Sequence, residues 1–148
     1  MTDQTQQQTE RSLVLVKPDG YRRGLTGEVL RRIEAKGYTL TALAVVRPTQ
    51  EQLAAHYAEH KGKPFYEPLV EFMSSGAVTA VVVEGQGCIA GFRSLAGATD
   101  PTAAAPGTIR GDLGRDWGLK AQQNIVHGSD SPDSAAREIG SVLVGRAA

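Results

Sequence analysis

The segment Asn124-Ile125-Val126-His127-Gly128-Ser129-Asp130 sets an imidazole at the end of a short apolar run, directly before a Gly-Ser-Asp turn. Imidazole titrates near neutrality, so a histidine here is open to use as a base, a metal ligand or a nucleophile, as well as to a purely structural role. Glu138 lies about two turns into the helix expected after this turn. A chain reversal there returns its carboxylate toward His127, where it would fix the ring's tautomer and stabilise positive charge on it. A glutamate facing solvent fits the same spacing.

Donors for an anion are spread along the chain: Lys17 after a branched run, Arg93 within a helical segment, and Thr99 and Arg110 in a long irregular stretch. Phosphoryl transfer needs such groups, because the protein mainly positions phosphates and stabilises charge on the migrating group and the leaving oxygen. Each one alone also fits a solvated surface residue. The sequence contains neither a G-x-x-x-x-G-K-[ST] loop nor a G-x-G-x-x-G turn, so phosphate binding by those glycine-rich devices is excluded. His56, His60 and Cys88 lack the spacing and partners of a zinc set, although His56 and His60 are placed to share a helix face.

These residues must be positioned by an alternating set of elements. Residues 12–17 (SLVLVK) read as a buried strand stopped by Pro18-Asp19-Gly20. Thr26 is the expected cap of an amphipathic helix that ends at Gly37. Residues 38–46 read as a strand with Tyr38, Leu40, Ala42, Ala44 and Val46 on one face. Thr49 and Gln52 form a capping-box pattern for a helix reaching about His60, with Tyr57 near its end. Residues 64–75 read as a helix, 77–84 as an apolar strand and 88–96 as a helix. Residues 97–118 show little periodicity, and a stretch of that length inside a small domain is usually functional. Residues 124–126 form a short strand, and Ser131-Pro132 opens the last helix.

The whole chain has 148 residues, enough for one apolar core, and 41% hydrophobic with 22% charged residues is an ordinary globular balance. Residues 1–11 are expected to form a disordered tail, and residues 12–148 a single domain. Sixteen basic and sixteen acidic side chains cancel, which argues against a polyanion as an obligatory partner. The lone Cys88, the polar start and the shortness of every apolar run lead us to expect a cytoplasmic protein without a membrane partner.

Taken together, Lys17-Pro18-Asp19-Gly20, Arg93 with Gly97-Ala98-Thr99-Asp100-Pro101, Pro106-Gly107-Thr108-Ile109-Arg110-Gly111-Asp112 and the segment around His127 closely resemble the nucleoside diphosphate kinase family. The resemblance runs over residues 12–140 with the motifs in the family's order. It implies an α+β fold: a four-stranded antiparallel sheet of ferredoxin-like (βαββαβ) topology with helices packed on it. It also implies a ping-pong reaction, in which a nucleoside triphosphate gives its γ-phosphoryl to His127 and the phosphoenzyme gives it to a nucleoside diphosphate. Mg2+ would travel with the nucleotide phosphates, with no permanent protein ligands.

Residue by residue, the family pattern makes His127 the nucleophile through Nδ1, a choice that spacing alone does not make. It sets Glu138 on the other ring nitrogen, Ser129 in support and Tyr57 beside the imidazole. Arg93, Thr99 and Arg110 match phosphate ligands, Lys17 and Asn124 match residues at the sugar hydroxyls and nearby phosphate oxygens, and Phe65 matches the ring on which the base stacks. Stacking discriminates poorly between bases, so broad base tolerance is implied. The family also implies a homo-oligomer, a tetramer or hexamer built from dimers, with Pro101 matching a residue of assembly contacts.

Two departures stand out. The connection between Asp112 and Asn124 is longer than the family's usual one, and it normally carries the apolar residue facing Phe65; Leu119 and Ala121 are candidates, while Trp117 is expected to cover the surface. The ending Gly145-Arg146-Ala147-Ala148 lacks the family's aromatic-rich tail. Competing readings are a regulatory or nucleic-acid-binding protein on the same fold, and a phosphohistidine relay to a protein. Retention of His127, Lys17, Arg93, Thr99, Arg110 and Asn124 argues against the first of these as the sole role.

Overall fold

A computed structural model describes residues 9–119 and 123–141. Strands β1 (Thr9–Val16), β2 (Thr39–Val46), β3 (Val78–Gln86) and β4 (Val126–Gly128) form an antiparallel sheet in the order β2-β3-β1-β4. The helices among the described residues are α1 (Pro18–Arg22), α2 (Thr26–Ala35), α3 (Gln50–His56), α4 (Tyr66–Met73), α5 (Cys88–Ala96), α6 (Ile109–Leu113) and α7 (Pro132–Ile139). This is the ferredoxin-like α+β arrangement that the resemblance implies.

Central strands β1 and β3 read as unbroken apolar runs because both faces of the sheet are covered, so alternate side chains serve two cores. Leu13 and Leu15 join Val78, Ala80 and Val82 under α3, α4 and α7. Val14 and Val16 join Val81 and Val83 under α2, α5 and α6. Each layer is closed by large buried side chains, Leu53 and Met73 on the first and Ile33, Phe92 and Ile109 on the second.

Several boundaries differ from expectation. β1 begins at Thr9 rather than Ser12, because β3 runs on to Gln86 and its backbone pairs with Thr9, Glu10 and Arg11; residues 1–8 of the expected tail lie outside the described residues. Thr26 does not cap α2. Leu25 holds the cap position without a side-chain bond, and the Thr26 hydroxyl instead pairs with that of Thr79 at 3.0 Å. The single face expected for residues 38–46 is broken by a register shift between Leu40 and Ala42, so Tyr38 and Leu40 pack on one core while Ala44 and Val46 pack on the other. The helix expected to reach His60 stops at His56, and a 3₁₀ turn, Ala58–His60, follows.

Candidate active site

β4 is an edge strand, and alternation along it sorts its side chains between the two layers. Val126 belongs to the core under α5 and α6, whereas His127 pairs across with Leu15 and points to the layer of α3 and α7. The cleft that opens here has a volume of about 360 Å3. One wall comes from α3 and α7, and the other from α5, α6 and the loop between them.

The first wall is organised around the imidazole. Ser131 caps α7 through a reciprocal box with Ser134, and Pro132 takes the first helical turn, which aims Glu138 back at the strand. One carboxylate oxygen, Oε1, lies 2.9 Å from His127 Nε2 and accepts the Ser129 hydroxyl at 2.8 Å. Burial acts to raise the Glu138 carboxyl, but the bonds from His127 and Ser129 and the nearby imidazoles outweigh it and hold the group below its ordinary range. An ionised carboxylate only accepts, so Nε2 carries the proton and Nδ1 keeps the free lone pair of a ring that lines the cleft. Ser129 is fully buried and also accepts from the Leu13 amide at 3.0 Å, which ties the turn to β1. Gly128 is needed for close approach: a Cβ there would meet the Phe92 ring at 2.6 Å. Tyr57, the residue following α3, is buried in the same wall, and burial followed by the Glu138 charge raises its phenol.

The second wall carries the cations. Lys17, just before α1, donates to Asn124 Oδ1 at 2.8 Å. Burial, then the Arg110 charge, lower its ammonium to about 8 against the opposing pull of Asp19. Asn124 in turn donates to the Thr99 carbonyl at 2.9 Å. Thr108 caps α6 and sets Arg110, whose guanidinium donates to the carbonyls of Asn124 at 3.1 Å, Gly97 at 3.0 Å and Val126 at 2.6 Å. Burial, then the Arg93 charge, bring it down to about 10. Arg93 is 51% exposed and pairs with the more exposed Asp130.

Between Asn124 and Val126 the chain takes an unusual turn. Ile125 has φ 74°, which for a branched side chain costs about 1–3 kcal/mol. The strain is held by its amide bond to Asp19 Oδ2 at 3.1 Å and by its carbonyl, which accepts from Lys17 N at 2.7 Å. The consequence is positional: the kink sets the carbonyls of Asn124 and Val126 on either side of it toward the one guanidinium of Arg110.

The cleft thus gathers Lys17, Tyr57, Arg93, Thr99, Arg110, Asn124, His127 and Glu138, with Ser129 directly behind. Phe65 is not among the lining residues. It stands 47% exposed just before α4, edge-on to His60, which does line the cleft. Leu119 is exposed beside the α3–α4 face, and Ala121 lies outside the described residues, as do residues 145–148. Trp117 lies on the surface between Arg115 and Arg23, whose guanidinium carbons are 4.6 and 5.7 Å from its ring centre. Pro101 is buried against Gly114 of its own chain. The stretch expected to be irregular over residues 97–118 contains α6, a helix too short to reveal itself by periodicity. His56, which the sequence pairs only with His60 on a helix face, is buried against His127 with ring centres 4.8 Å apart. Nothing in linear spacing signals that contact.

A sheet-borne imidazole with a carboxylate behind it and fixed cations in front defines a protein of phosphoryl-group chemistry. Comparison with known proteins agrees. The family model for nucleoside diphosphate kinase matches residues 10–146. The chain is 58% identical over 139 residues to a nucleoside diphosphate kinase of Streptomyces coelicolor, covering 93% of this chain and 98% of that one. With its counterpart in Mycolicibacterium vanbaalenii it shares 60% over 132 residues, covering 88% and 94%. Among solved structures, the Halobacterium salinarum nucleoside diphosphate kinase in complex with CDP superimposes with a TM-score of 0.85 at 45% identity, covering 91% of this chain and 88% of that one. The apo enzyme of Encephalitozoon cuniculi gives 0.85 at 40%, covering 90% and 88%. The chain belongs to the nucleoside diphosphate kinase family, and its activity is phosphoryl transfer from nucleoside triphosphates to nucleoside diphosphates.

Proposed function

We propose that His127 Nδ1 is the atom that carries the phosphoryl group, and that the reaction is ping-pong. The lone pair on Nδ1 attacks the γ-phosphorus of ATP or another triphosphate; the N–P bond forms as the bridging P–O bond breaks, and the diphosphate leaves with that electron pair on its oxygen. A terminal oxygen of a second diphosphate then reverses the step. The observation that carries this reading is the Glu138 bond to Nε2, which leaves Nδ1 as the open nitrogen and lets the carboxylate stabilise the cationic ring. Ser129 keeps Glu138 in place, and Tyr57 packs beside the site.

Arg93, Thr99 and Arg110 are the groups for the phosphates, and Lys17 and Asn124 for the sugar hydroxyls and adjoining phosphate oxygens. Phe65 serves as the stacking surface for the base. Bound divalent magnesium would neutralise phosphate charge during transfer. That ion takes oxygen ligands and gives up its waters reluctantly, so it is usually held through substrate phosphates. This supports its arrival on the nucleotide, without permanent protein ligands.

The proposal extends to the chain from β1 onward acting as one cytoplasmic domain that assembles into a homo-oligomer. Support for assembly comes from edge strand β2, which leaves Leu43 and Val45 half exposed. No helix among the described residues is long and apolar enough to cross a membrane. The decisive experiment mixes the protein with γ-labelled ATP alone. We expect an acid-labile, alkali-stable label on the wild type and none on His127→Ala, with turnover in a coupled assay down by more than about 10⁴-fold while nucleotide still binds. Near-normal turnover in that variant would refute the assignment.

A further inference from the structure

His56 ends α3 and is 3% exposed, yet neither ring nitrogen has a hydrogen-bond partner among the described residues. Buried polar atoms are nearly always paired, so an imbalance of this kind beside a reactive group needs a physical account. Burial is the main cause holding the ring neutral, and the neighbouring His127, then Lys17 and Arg137, act in the same direction, bringing it down to about 3 against the pull of Glu138. A neutral imidazole keeps a lone pair, and the hydrogen-bond network leaves that of His56 unused.

The surroundings supply two further ligands. His56, His127 and Glu138 each offer one ligand atom, and these atoms lie within 4.8 Å of one another. The two imidazoles meet edge-on at an interplanar angle of 68°. Two imidazoles with one carboxylate, opening on a cleft, form the donor set of a zinc site that keeps a free coordination position. The set suits magnesium poorly, because that ion takes oxygen ligands in a near-ideal octahedron. Bonds of about 2.1 Å hold two ligand atoms at most about 4.2 Å apart, so binding requires a modest side-chain rotation. Ser129 keeps Glu138 in place while the rings turn, and the His127 Nε2–H bond to the carboxylate is exchanged for bonds to the ion, with the ring proton released to solvent.

We propose that His56, His127 and Glu138 form a binding site for a borderline divalent transition ion such as Zn2+, and that its occupancy and phosphoryl transfer at His127 exclude one another. The ion would draw on the same imidazole that must accept phosphorus. Transition-metal availability would thereby act as a reversible brake that magnesium does not mimic. Binding does not depend on the catalytic role proposed for His127; the exclusion does.

Calorimetric titration of the nucleotide-free full chain with zinc chloride, in a non-coordinating buffer with excess magnesium, tests the site. We expect one ion per chain, and an affinity about tenfold or more weaker in His56→Phe, which keeps a ring of similar bulk but has no lone pair. His56→Ala serves as a second variant, with circular dichroism and thermal melting verifying the fold of both. Unchanged affinity in a folded variant, or wild-type binding no tighter than about 1 mM, overturns the site. Transfer assays then read the exclusion: zinc should slow the wild type and leave His56→Phe close to its own zinc-free rate. Zinc binding that depends on His56 yet leaves wild-type transfer untouched overturns the exclusion. Absence of transfer in zinc-free wild type tells against the catalytic reading instead of the metal site.

Discussion

The two walls of the cleft are built on opposite principles. On the imidazole wall, His127 and Glu138 have side chains only 18% and 6% exposed, and Ser129 links both to the backbone of β1. Across the cleft, Arg93 reaches in half exposed from the surface, and Phe65, also half exposed, stands outside the cleft lining beside His60. In the proposed reaction bonds are made and broken on the rigid side, where misplacement is most costly. In the same proposal the exposed Phe65 meets the base, the part of a nucleotide that varies. Arg110 belongs to the rigid principle although it stands on the cation wall, because three carbonyls and partial burial hold its guanidinium. The Arg93 pair with Asp130 is exposed, contributes little to stability, and can be exchanged for a phosphate.

If that division is right, breaking the fixed elements should hurt more than breaking the loose ones. Arg110→Ala should lower kcat by about 10²–10³-fold, the usual cost of removing one preorganised charge donor. Arg110→Lys should recover little, since an ammonium lacks the rigid planar fork that reaches the three carbonyls. Steady-state kinetics on both variants would settle it, and a rate near wild type in the lysine variant would undo the claim that Arg110 is fixed by its geometry. Glu138→Ala comes next, at about 10²-fold in kcat. Its signature is a fall in phosphoenzyme formation with KM little changed; a pure KM effect would mean that the carboxylate holds substrate and not the ring.

The same contrast explains what was legible in the sequence. The four strands and the major helices could be read because their apolar periodicity and caps are local signals: the Thr49–Gln52 box forms both of its bonds. The residues around His127 could be recognised as a motif, but their partnership with Glu138 needed the reversal of the chain at Ser131. The bulge near Thr41 escaped detection because the strand's alternation looks regular on either side of it. Ile125 escaped as well, since its positive φ is imposed by Asp19 and Lys17, far away in sequence. His56 is the clearest case, because a helix expected to continue to His60 hides where its last side chain turns.

Lys17 sharpens the comparison through pH. Burial and Arg110 hold its ammonium near 8, so it is charged below that value and loses the charge as pH rises through it. The free enzyme's kcat/KM should therefore fall on the alkaline side from about pH 8, approaching roughly tenfold per pH unit, rather than near the pKa of about 10.4 of an ordinary lysine. Lys17→Arg should flatten that limb while lowering the plateau, because a guanidinium stays charged throughout. A limb that persists unchanged in the arginine variant would move its origin to another group.

The smallest effect is expected where the wall is loosest. Phe65→Ala removes an exposed stacking surface, and base stacking on an aromatic ring contributes about 1–3 kcal/mol. The low end applies here because the ring is half in solvent before any nucleotide arrives, which gives a rise in KM of about fivefold with kcat nearly unchanged. The rise should be similar for purine and pyrimidine diphosphates, since every base offers a π-face. A kcat loss comparable to that of Glu138→Ala would place Phe65 with the fixed elements. The division between a rigid chemical wall and an adaptable binding wall would then be drawn in the wrong place.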